Sequence, residues 1–144
     1  MKKSLFLSSL ALSVFAFSCD KDDKISQEVK DALSSLYPNA TFVDWDVEGK
    51  YVVADFINNG TETEVTFQGT TWVRIETDIT FDALPQAVKD AHGEGKYSTW
   101  NVTDTDEIKK PGNVFTYILD VEQGERDVEL TYDADGSLIS ERND

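Results

Sequence analysis

One cysteine and one histidine stand among 144 residues, and their scarcity removes several kinds of chemistry at once. A lone Cys19 cannot form an intramolecular disulfide. With only His92 and Cys19 there is no His/Cys cluster for zinc. There is also no Cys–His or Ser–His arrangement with a choice of bases for nucleophilic catalysis. No phosphate-cradling glycine loop appears. Basic residues are few as well, 13 Lys and Arg against 28 Asp and Glu, for a formal charge of −15. Such a chain has no basic stripe with which to displace counterions from a nucleic acid.

Long apolar runs are confined to the beginning. Lys2 and Lys3 precede a run from Leu5 to Phe17 that is too short for a mature transmembrane helix and has the form of a signal peptide. It leads through Ala16-Phe17-Ser18 into Cys19, which resembles the lipobox of bacterial lipoproteins. That resemblance implies cleavage after residue 18 and lipidation of Cys19, so the lone thiol becomes a membrane anchor. The alternative is an ordinary cleavage site near Ala16 or Ser18, with Cys19 incidental. Asp20-Lys21-Asp22-Asp23-Lys24 follows, a run too charged to fold alone. It reads either as a solvated tether or as the Lys-plus-acids signal that sends some lipoproteins to the outer leaflet of the outer membrane. The expected address is the cell envelope, as an outer-membrane lipoprotein.

What is present from residue 25 onward is a repeated pattern. Ile25-Ser26-Gln27-Glu28-Val29-Lys30-Asp31-Ala32 aligns with Leu84-Pro85-Gln86-Ala87-Val88-Lys89-Asp90-Ala91. A Trp follows each, Trp45 and Trp100. Glu64-Val65-Thr66-Phe67 then matches Glu129-Leu130-Thr131-Tyr132. Ile25, Val29, Ala32, Leu33 and Leu36 make a helical stripe, with Ser26 as its N-cap and Pro38 ending it. Leu84, Val88 and Ala91 make a shorter one, with Pro85 at its start and Gly93 stopping it.

Strands follow each helix. Val43, Trp45 and Val47 alternate with Asp44, Asp46 and Glu48, the pattern of a strand buried on one side. Asn58-Asn59-Gly60, Gln68-Gly69, Gln123-Gly124 and Asp133-Ala134-Asp135-Gly136 are turn signals. The reading is an α+β fold of two tandem helix-plus-four-strand repeats, about 25–80 and 81–144. Together they form one antiparallel sheet with both helices on one face.

The Leu84-Pro85-x-x-Val88 helix start, the Tyr37-Pro38 helix end, the Trp-bearing first strand and the Tyr132-to-Gly136 turn resemble the PepSY-like family, whose fold is compared with the β-lactamase inhibitor protein. The resemblance covers residues 25–144 and implies a non-catalytic binding or inhibitory module for an unnamed protein or peptide, with no cofactor. A structural or accessory part in an envelope assembly is the alternative. Two-carboxylate glycosidase chemistry is compatible with composition alone, but the strand acids alternate outward as on a solvated face. The Asp133-to-Gly136 turn fails as a calcium loop, because that register would put Thr131 and Arg142 at ligand positions.

The residues singled out for partner binding are Trp72 and Arg74. If Val73 and Ile75 face the core, strict alternation stands Trp72 and Arg74 together on the open face, and both types are enriched at binding hot spots. His92, near a helix end, reads as a dipole-favoured cation.

Overall fold

The computed structural model describes residues 24–143, so the leader at 1–18, Cys19 and the tether through Asp23 lie outside the described residues. The first apolar stripe forms helix α1, Gln27–Leu36. Val29 and Leu33 are buried from it and Ile25 is buried just ahead of it, whereas Leu36 is left 40 % exposed. Ser26 occupies the N-cap position in extended conformation, but its hydroxyl makes no capping hydrogen bond. Tyr37 closes the helix by donating its N–H to the Leu33 carbonyl, just before Pro38.

Four strands follow: β1 (Ala40–Glu48), β2 (Tyr51–Asn58), β3 (Thr61–Gln68) and β4 (Thr71–Asp78). A 3₁₀ turn at Phe81–Ala83 leads into α2, Gln86–Glu94. Here the sequence reading needs correction. Gly93 lies inside α2, and the cap is Gly95, whose N–H reaches the His92 carbonyl. A Cβ at Gly95 would sit 3.0 Å from the Ala91 carbonyl oxygen, which favours glycine there. Four more strands complete the chain: β5 (Asn101–Lys110), β6 (Val114–Gln123), β7 (Arg126–Asp133) and β8 (Leu138–Asn143).

All eight strands form one antiparallel sheet in chain order, β1 to β8. Each two-stranded link turns where the sequence offers residues that accept positive φ. At Asn59 (φ 51°) and Gly60 (φ 88°) both central residues do so, which suits the right-handed twist of the flanking strands.

Register decides which residues share a side. Trp45, Ala54, Val65 and Ile75 are directly opposite one another across β1 to β4, and all are buried with α1 in one apolar core. Ile75 stands opposite Lys109, and Lys109 opposite Phe115. Phe115 packs against a second core of Leu84 and Val88 with Tyr117, Leu119, Val121, Val128, Leu130 and Tyr132. Both helices therefore cover the same side of the sheet. The other side has no helix over it among the described residues.

Candidate functional site

The uncovered side is read from the intervening residues. Asp44, Asp55, Glu64 and Glu76 form one row of directly opposed carboxylates across β1 to β4, continued by Ile108 on β5 and Thr116 on β6. The neighbouring row is Asp46, Val53, Thr66 and Arg74. Like charges directly opposite on a sheet repel. Part of that repulsion is relieved by Arg74, whose Nη1 donates to Glu64 Oε1 at 2.8 Å and whose Nη2 donates to Glu76. Asp55 has the least relief. Burial first, then Glu64, Asp44, Glu76 and Asp46, push its carboxyl up to about 6. Further along, Asp104, Asp120 and Glu129 are opposed in the same way, with Arg142 paired to Glu129 at the end of the row. The face thus has a carboxylate lattice tied by two arginines, with Val53, Ile108 and Ile118 set among the charges.

Trp72 and Arg74 are not together. Thr66 faces Arg74 while Phe67 faces Trp72, so one extra residue, Val73, is inserted in β4. A bulge of this kind reverses the sides on which residues before and after it point. Arg74 lies on the uncovered side, as the alternation predicts. Trp72 goes with Phe67 to the helix side, partly buried against the first core. Val73, expected to face the core with Ile75, is the bulge residue. Beside Trp72 the Lys109 ammonium lies 5.9 Å from its ring and 5.8 Å from that of Phe115, at the seam between the two cores.

His92 also departs from expectation. It is in the last turn of α2, but its side chain is buried, its ring meets Phe81 edge-on at 5.9 Å, and its Nδ1 has no hydrogen-bond partner. Burial pushes its pKa below the ordinary value, so desolvation overrides the favourable helix-end dipole. Among the described residues, no group of three or more His, Cys, Asp or Glu side chains is placed to hold a metal ion.

Sequence reasoning missed Phe42. Between Thr41 opposite Ile57 and Asp44 opposite Asp55, β1 carries one residue too many. Phe42 takes φ 56° there and is 85 % exposed. Its signal was available: the adjacent apolar pair Phe42-Val43 interrupts an otherwise strict alternation.

An eight-stranded antiparallel sheet with one side covered by two helices invites comparison with known folds. A family profile described as "Putative beta-lactamase-inhibitor-like, PepSY-like" matches residues 50–140. The chain belongs to that family. A BLIP-like protein from Bacteroides fragilis NCTC 9343 is 36 % identical, with a TM-score of 0.73 over 85 % of this chain and 90 % of its own. A DUF2874 family protein from Bacteroides uniformis ATCC 8492 is 31 % identical, with a TM-score of 0.78 over 83 % and 89 %. A third crystal structure, described as of "putative periplasmic proteins" from Bacteroides eggerthii DSM 20697, is 27 % identical, with a TM-score of 0.78 over 82 % and 88 %. No curated protein matches the chain. PepSY-like membership, as the sequence motifs suggested, thus accompanies an inhibitor-like description of the family.

Proposed function

We propose that this PepSY-like chain is a non-catalytic, lipid-anchored binding module of the cell envelope that takes a protein partner on the uncovered side of its sheet, in the manner of a hydrolase inhibitor. The observation that carries the reading is the carboxylate lattice around Arg74. It is rigidly placed by four paired strands and left without a covering layer. A sheet side that is solvated only to keep the domain soluble has no need of opposed, partly buried carboxylates. Directly opposed carboxylates destabilise the free sheet, and a cationic partner surface would relieve that cost.

Arg74 is the central contact in this reading. Trp72, on the helix side, is a separate contact with Lys109 and does not belong to the same surface. Lipidation of Cys19 and an outer-membrane address follow from the leader. The matching segments at 25–32 and 84–91, each opening a helix that four strands follow, favour descent from a duplicated unit.

The test is binding and turnover together. The exported chain, with Cys19→Ser to keep it in solution, is titrated into periplasmic hydrolases, serine β-lactamases first. Inhibition that weakens on Arg74→Ala and is untouched by Trp72→Ala supports the reading. Hydrolysis of any substrate by the chain itself, or binding insensitive to Arg74, contradicts it.

A further inference from the structure

Phe42 combines two costs that its surroundings do not require. β1 is an edge strand, paired only with β2. A bulge and outward charges on such a strand discourage other chains from adding to the sheet, and Asp44, Asp46 and Glu48 supply the charges. A bulge does not need a left-handed residue, and the Val73 bulge in β4 has none; where a bulge does take one, the place is ordinarily given to glycine. Phe42 occupies it at φ 56°, where its Cβ is crowded by its own backbone. It gains no packing in return, since the side chain is 85 % exposed. Glycine would protect the edge equally well, without the strain and without an exposed ring. Neither the bulge nor the core therefore accounts for the phenyl group.

We propose that Phe42 is an anchor that inserts into an apolar pocket, rimmed by Lys or Arg, on a folded partner protein. The inference rests on the binding reading above and adds a second point of attachment, at the sheet edge. Charge sets the rim. Strands β1, β2 and β3 carry Asp44, Asp46, Glu48, Asp55, Glu62 and Glu64 and not one Lys or Arg. Asp44 is two residues from the ring on its own strand, and Glu62 stands across β2, opposite Ile57. On these three strands, a pocket closing over Phe42 meets carboxylates and no Lys or Arg. The same charges oppose a second copy of this chain, whose edge would bring acids against acids. Exposed aromatic anchors that fill a partner's pocket are a recurrent source of binding energy.

Two variants separate binding from folding. Phe42→Gly suits the positive φ, and Phe42→Asn tolerates it. Both should melt at the same temperature as the parent or higher. The first probe is a β-cyclodextrin with an aminated rim, an apolar cavity ringed by ammonium groups. Titrated into the Cys19→Ser chain and followed by NMR, it should shift the amides around residues 42–48. Neutral β-cyclodextrin should bind more weakly, and both glycine and asparagine variants should lose the response.

The second probe is benzoyl-phenylalanine placed at position 42 and photolysed in intact cells, with the same group at exposed Val114 as control. A single adduct specific to position 42, mapping to a basic-rimmed apolar pocket, is expected. Affinity of the purified, identified partner should fall at least about thirtyfold in Phe42→Gly. Several results overturn the proposal: no cyclodextrin response, adducts that match those at 114, or a partner indifferent to Phe42→Gly. A lower melting temperature in both variants also overturns it, because the ring would then be structural. So does a dimer of this chain that Phe42→Gly dissolves. A partner that depends on Arg74 but not on Phe42 overturns the anchor alone and leaves the proposed function standing.

Discussion

Asp55 shows how a single side chain reports on the surface around it. Its carboxyl titrates at about 6 in the fold against 3.8 for the free group, chiefly through burial and then through its acidic neighbours. The folded state therefore holds this proton more tightly than the unfolded chain. The stabilisation is full below about pH 4 and is lost as pH rises through about 6. At pH 7 the ionised carboxylate is a cost, about 1 kcal/mol once solvent screening of a half-buried group is allowed for. Asp55→Asn should raise stability by about that amount at pH 7 and by little at pH 4, as read from urea unfolding at both values. Equal effects at the two pH values would show that charge is not the cause. His92 has the opposite sign. Burial lowers its pKa, so the stability it contributes in neutral form is present above the unfolded value near 6.5 and lost as pH falls through the lower folded value. His92→Leu should remove part of the acid-side loss, visible as a flatter urea midpoint between pH 6 and 4.

At the level of elements, β-bulges decide what faces what: besides those in β1 and β4, the pairing slips by one residue at Thr103 in β5 and at Ile139 in β8. A sheet has a side-chain period of two, so one inserted residue exchanges sides for everything beyond it. Strict alternation through Trp72-Val73-Arg74-Ile75 places Arg74 and Ile75 correctly, because both follow the insertion, and misplaces Trp72, which precedes it. The sequence offers no local mark of the Val73 bulge, since bulges arise from pairing with a neighbouring strand. The helices and most strands were legible for the complementary reason. Their signals are local: the stripe of Val29 and Leu33, the outward acids of β1, the turn residues Asn59 and Gly60. Trp72 on the helix side leads to a further expectation. Trp72→Ala should cost about 2–3 kcal/mol of folding stability, as for a partly buried aromatic, and should leave partner affinity unchanged. Arg74→Ala should lower partner affinity and also cost folding stability, because it removes the cation paired with Glu64 and buried Glu76. Gly136 gives a second expectation at this scale. It turns β7 into β8 at φ 89°, and an added Cβ would lie 2.5 Å from the Ala87 carbonyl oxygen of α2. Gly136→Ala combines backbone strain with a clash against helix backbone that cannot retreat. A loss of about 2–4 kcal/mol in urea unfolding is expected.

Across the whole molecule, one sheet is built on two cores, and the join between them is thin. β4 and β5 pair only through Ile75–Asp78 and Asp106–Lys109, whereas β5 and β6 pair along nearly their full length. On the helix side of that seam Thr77, Glu107 and Lys109 lie between the core under α1 and the core under α2. Few apolar contacts and a short ladder lower the free energy of local opening. The two halves, about 25–80 and 81–143, should therefore behave as coupled but distinguishable cooperative units. Phe67 is wholly buried in the first core, and Phe67→Ala should cost about 3–5 kcal/mol there. Native-state hydrogen exchange read by NMR gives the test, because it reports the opening free energy of each amide separately. In Phe67→Ala the slowest amides of β2 and β3 should lose protection by that full amount, those of β6 and β7 by distinctly less. An equal drop in both sets would mean that the sheet opens only as a whole and that the seam transmits everything. An unequal drop would locate the Arg74 and Asp55 lattice in one unit with its own stability. Partner binding there would then raise protection in β1–β4 first and reach β6–β7 only through the seam.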